Sequence, residues 1–252
     1  MHRYDVYSND NKKLICAIMC YNPTVSLTTA IIEWTLAIVL PFKYPKTRTR
    51  FFTSVFMIFL GLYQFTEFMF CKTNQADLWM RLGFMAYTLL PAIGLHTTLH
   101  YFKIKINLFW IYIIPIAYII GAGLATNFVV ESKCHDIFVT ARNIFSSVNS
   151  PLEAAKFGFY TAYYFSFILI ACLIGIRAYL KETNRQKQRI YLIFPMAVFL
   201  MSFPTFTLII MLPALNIQFP SILCHFALLL ALTVFVGARW DHELHSKNKT
   251  LS

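Results

Sequence analysis

The sequence predicts an all-α integral membrane protein, a seven-transmembrane helix bundle with its N-terminus outside and its C-terminus in the cytoplasm. Three observations carry this expectation. Apolar residues make up 58% of the 252 and charged residues only 13%, whereas soluble domains average about 45–50% apolar and about a quarter charged. Mean hydropathy is +0.58, which leaves too little polar surface for a water-facing shell. The basic residues form short clusters between long apolar runs, and these clusters divide unequally between alternate connections.

A hydrocarbon core of ~30 Å takes about 20 apolar residues of helix. Stretches 14–42, 51–71, 78–102, 107–130, 156–180, 190–212 and 218–238 meet that length. Residues 1–13 then form an extracytoplasmic segment, 14–238 the transmembrane domain and 239–252 a cytoplasmic tail. The first run is too long for a cleaved signal peptide, and no small-residue cleavage site follows it. Fourteen of the Lys and Arg residues fall on the side of 43–50, 103–105, 177–189 and 239–249, and eight on the other. The richer side is cytoplasmic by the positive-inside rule. The net charge of +11 is thus a topology signal and a source of contacts with membrane lipids; no nucleic acid partner is expected. The expected location is the plasma membrane, in a bacterium the inner membrane.

The connections are short except 131–153, an outer segment long enough to form a lid. Pro23, Pro91, Pro115, Pro195 and Pro204 punctuate the apolar runs, where each removes a backbone donor and can kink a helix. With only fourteen residues after Ala238, an enzymatic output domain is not expected within the chain.

An ionisable side chain inside a span is costly and usually faces the bundle interior or water. Counted along each run, Glu67 lies in the outer part of span two and His225 at similar depth in span seven, with Arg81 at the outer entrance of span three. These three form the candidate ligand-binding set. Glu33 lies in the inner half of span one, and His96 and His100 toward the inner end of span three, as candidate intramembrane relay groups. Polar groups at such positions also stitch helices together without any ligand. Tyr160 and Tyr164 belong to an aromatic cluster at the outer start of span five, which serves as an interfacial belt or lines an apolar ligand's pocket.

His96 and His100 share a helix face, but Thr97, Thr98 and Leu99 separate them, so the metalloprotease HExxH pattern is absent. No metal or other cofactor is expected. Cys71 at the outer end of span two and Cys134 in the outer segment are a candidate disulfide, with Cys16 and Cys20 as competitors. No nucleophile-elbow or phosphate-loop motif occurs, and span seven has no lysine for a retinal Schiff base. The chain is not expected to be an enzyme.

Glu67, Trp79, Arg81, Leu90, Pro91, Ala92 and His96 follow one another in a pattern that resembles the seven-span sensor region preceding histidine kinases and diguanylate cyclases in many bacteria. That region shows a Glu late in span two, Trp-x-Arg opening span three and then Leu-Pro-Ala-x-x-x-His. Pro204, Phe219, Pro220 and the basic end at Arg239 extend the likeness. The resemblance implies sensing of a ligand and relay of a signal to a cytoplasmic domain. Here the relay would pass to a separate membrane or cytoplasmic signalling partner. The sequence is therefore expected to encode a receptor or sensor for a small hydrophobic or lipidic ligand bound in the outer half of the bundle. The alternatives are a transporter or channel using the intramembrane carboxylates, an intramembrane lipid enzyme, or a structural subunit.

Overall fold

A computed structural model describes residues 24–44, 50–134, 139–146, 150–193, 195 and 223–250, without the side chains at 24, 131–134, 139–142, 223–226 and 244–250. The protein is mostly helical. In chain order the elements are α1 (Thr24–Lys43), α2 (Arg50–Lys72), α3 (Ala76–Tyr101), α4 (Leu108–Leu124), β1 (Val129–Cys134), β2 (Val139–Asn143), α5 (Pro151–Lys181), α6 (185–193) and α7 (Leu223–Thr250). Four of them, α1, α2, α3 and α5, are long and apolar enough to cross a membrane, and α4 is a shorter apolar helix of 17 residues.

The outer faces of these helices are as apolar as their packed faces. In α5, Ala171 and Gly175 are buried, while Leu169 is 58% and Leu180 74% exposed. A helix on a water-soluble domain carries polar residues on that side. Lipid is the surrounding that such a helix fits.

α1 and α2 form an antiparallel pair held by close contact. Trp34 Nε1 donates to the Ile58 carbonyl at 3.2 Å, and Ala30 lies opposite Gly61. A Cβ at Gly61 would stand 2.6 Å from Trp34 Nε1, so the approach requires glycine. The next helix repeats the device: a Cβ at Gly83 of α3 would meet Thr66 Oγ1 of α2 at 2.6 Å. α3 then packs on α4 and α5, and α7 lies against α1 and α2.

Several ends differ from the sequence expectation. α4 stops at Leu124, six residues before the expected Val130, because Ala125 turns extended and its neighbouring carbonyls are claimed by Arg81. Val129 and Val130 instead open β1, which pairs antiparallel with β2 from Val129↔Asn143 to Cys134↔Val139, with a bulge between Val129 and Glu131. The long connection thus carries an antiparallel strand pair, the hairpin of β1 and β2. α5 begins at Pro151, five residues before Lys156. Ser150 caps it by accepting the Glu153 N–H at 3.2 Å, and Pro at the first position suits a helix start. α7 runs on past Ala238 to Thr250, so nearly all of the expected tail is helical. The first ten residues of span one, the rest of span six and the start of span seven lie outside the described residues.

Candidate functional site

The buried face of α1 carries Ser26, Ala30, Glu33, Ala37 and Leu40, and that of α2 carries Met57, Leu60, Gln64 and Glu67. Both rows follow the three- and four-residue spacing of one helix face, and both include carboxylates where a leucine would pack. Glu33 is 0% and Glu67 8% exposed. The Ala30–Gly61 contact fixes their relative height: Glu33 lies about one turn from it in one direction along the pair and Glu67 nearly two turns in the other. Helix side chains lean toward their own N-terminus. On antiparallel helices these leanings turn the two side chains toward each other along the interface. Gln64, on the same face of α2 as Glu67, lies at the height where they converge. Both oxygens of Glu33 and both amide atoms of Gln64 are buried without a hydrogen-bond partner among the described residues.

Arg81 is drawn to backbone. Its guanidinium donates to the carbonyls of Ala122, Gly123 at 3.3 Å and Ala125 at 2.8 Å. It also pairs with Asp77 at 2.6 Å and lies 5.4 Å from the centre of the Phe128 ring. These carbonyls end α4, where the last turn has no intrahelical donors. A fixed positive charge there also suits the helix dipole. Asp77 in turn accepts the Val129 N–H at 3.2 Å, tying the hairpin to the start of α3. Sequence reasoning missed Asp77, whose signal was its four-residue spacing from Arg81.

Tyr160 and Tyr164 lie in a packed aromatic core. Phe84 stacks on Tyr160 with centroids at 5.4 Å and on Phe145 at 5.2 Å, and Tyr118 meets Tyr160 edge-on at 4.9 Å. Tyr160 O–H and Thr88 Oγ1 share a hydrogen bond of 3.0 Å, and Tyr163 O–H donates to the Thr88 carbonyl at 2.7 Å. Phe128 and Phe145, flanking the strand pair, pack on this core through Phe84. Tyr164 stands 6.2 Å from Tyr160 at its edge.

His96 Nδ1 pairs with Tyr112 O–H of α4 at 3.0 Å, and the Phe52 ring lies against both His96 and His100 at 4.3 and 5.0 Å. Glu33 is fully buried on α1, which packs against α2. His225 is on α7, but its side chain lies outside the described residues. Cys71 is disulfide-bonded; the side chain of Cys134 is likewise outside the description.

A cavity of about 100 Å³ opens where α2, α3, α5, α6 and α7 meet. Phe56, Gly94, Gly175, Pro195 and Val234 form its apolar wall. Thr97, Tyr101 and Asp241 give it a polar end, where Tyr101 O–H donates to Asp241 at 3.3 Å. Asp241 is 2% exposed. The packing is glycine-dependent: a Cβ at Gly175 would meet Pro195 Cγ at 2.6 Å. No sequence pattern singled out this place, because its residues come from five elements spread over almost 190 positions.

No protein-family model, curated protein or solved structure matches the chain.

Proposed function

We propose that this chain is a seven-span membrane receptor, N-terminus outside, whose ligand is a small apolar molecule with a cationic or hydrogen-bond-donating head. The observation that carries the reading is the cavity at the junction of α2, α3, α5, α6 and α7. Its apolar wall suits a hydrocarbon group, and Asp241 suits a donor or cation. A cavity of about 100 Å³ holds a group somewhat smaller than benzene, which fills an apolar cavity of about 150 Å³. In the proposed topology the cavity lies at the cytoplasmic end, between the basic stretches 43–50 and 177–189. An occupant that favours one packing of these helices shifts the population of both loops, which a signalling partner reads. The resemblance of the Glu67–His96 stretch to bacterial sensor regions agrees with this class. The ligand is placed here, not in the outer half, because Arg81 is engaged with α4 and Tyr160 with the aromatic core.

Gly94→Leu tests the site. A Cβ at Gly94 meets only Phe56, at an ordinary 3.8 Å, so the longer side chain enters the cavity without a backbone clash. In nanodiscs, small hydrophobic amines and single-chain lipids should raise the thermal midpoint of the wild-type chain but not of Gly94→Leu. Equal responses from both chains would refute the site.

A further inference from the structure

We infer that the cavity joining α2, α3, α5, α6 and α7 selects a short primary ammonium, and that it reads the number of N–H donors on the head as well as its charge. The inference rests on the ligand site proposed above and names the class of molecule that site takes.

The polar end of the cavity presents acceptors. Thr97 and Thr98 both line it. Thr97 Oγ1 lies 2.7 Å from the Ile93 carbonyl and Thr98 Oγ1 2.9 Å from the Gly94 carbonyl. A carbonyl only accepts, so each hydroxyl gives its single proton to its own helix and keeps its lone pairs. Such a hydroxyl is also a better acceptor, because hydrogen bonds in a chain polarise one another. Tyr101 O–H donates to Asp241 at 3.3 Å, and a carboxylate likewise only accepts, with room for several donors. Thr97 and Thr98 precede Tyr101 by four and three residues on α3, which is one helix face. The tyrosine side chain leans back toward them. Lone pairs from α3 and the carboxylate of α7 therefore border the same end.

A head that meets acceptors on two helices needs several donors pointing in different directions. A primary ammonium carries three on one nitrogen, as a lysine head does. A tertiary ammonium has the same charge and one donor, and its methyl groups cover acceptors without satisfying them. Burial makes that failure costly: Thr98 is 6% and Asp241 2% exposed, and a buried acceptor left unmet loses its water for nothing. An anionic head would set lone pairs against lone pairs. The apolar wall of Phe56 and Val234 receives the chain, and about 100 Å³ limits it to about three carbons, since benzene fills about 150 Å³.

Propylammonium and trimethylammonium are isomers of equal charge, so the pair separates donor count from charge and size. The full chain in nanodiscs at neutral pH is titrated with each as its chloride, and the thermal midpoint against concentration gives the two dissociation constants. Propylammonium should bind about tenfold or more tightly than its isomer, the worth of one hydrogen bond to a charged donor. The double variant Thr97→Val, Thr98→Val should narrow that ratio, and Gly94→Leu should respond to neither ion. Equal constants in the wild-type chain, both lost in Gly94→Leu, would overturn donor selection and leave the cavity as the ligand site. A wild-type ratio retained in the double variant would also overturn it. No saturable shift from either ion, where larger amines do act, would overturn this inference alone; no response to any amine or single-chain lipid would overturn the ligand site with it.

Discussion

Arg81 stands out in the sequence as a cation at the mouth of an apolar run, yet its partners are main-chain atoms 41 and 44 positions further on. Spacing and composition could not show this, because the early end of α4 leaves only Gly121 and Gly123 as a trace. Replacing Arg81 by Met should cost about 2–3 kcal/mol, the scale of hydrogen bonds to a charged group whose buried acceptors are left unmet. Chemical unfolding of Arg81→Met in detergent measures this, and a loss under about 0.5 kcal/mol would mean water satisfies the α4 carbonyls equally well. Glu33 and Glu67 were legible for a different reason: each is an ionisable residue in a run that otherwise reads as lipid-soluble.

At the level of elements, apolar length fixed the existence of α1, α2, α3 and α5 well, because burial in lipid demands about twenty consecutive apolar residues of helix. Ends were less legible. Ser150, Pro151 and Glu153 make a helix-start signature, but the apolar run begins later and drew the expected boundary to Lys156. The length of 131–153 suggested only a lid or cap; its strand pair is fastened through Val129 to Asp77 and through Phe128 and Phe145 to the aromatic core. Cys71, in the last turn of α2, is disulfide-bonded, while Cys172 is free. We expect the partner to be Cys134, so a non-reducing peptide map should yield a Cys71–Cys134 linked pair. A link from Cys71 to Cys16, Cys20 or Cys224 would leave the hairpin held by its hydrogen bonds and aromatic contacts alone.

Across the whole molecule, three features call for different surroundings. The exposed faces of α1 and α5 are apolar and need lipid. The aromatic core under the hairpin carries its own hydrogen bonds, from Tyr160 and Tyr163 to Thr88 and from Tyr118 to the Lys156 carbonyl. The α1–α2 interface and the five-element cavity hold buried polar groups at separate places. None of this convergence was visible in the sequence, where the cavity residues look like ordinary small and aromatic members of five unrelated runs.

The proposed receptor topology requires an odd number of crossings, with the termini on opposite sides of the membrane. The most direct measurement places an epitope tag at each end of the full chain in a bacterial inner membrane and asks which is reached by protease in spheroplasts. The N-terminal tag should be cleaved in intact spheroplasts and the C-terminal tag only after they are lysed. Cleavage of both tags from outside, protection of both, or recovery of the chain in the soluble fraction would contradict the account.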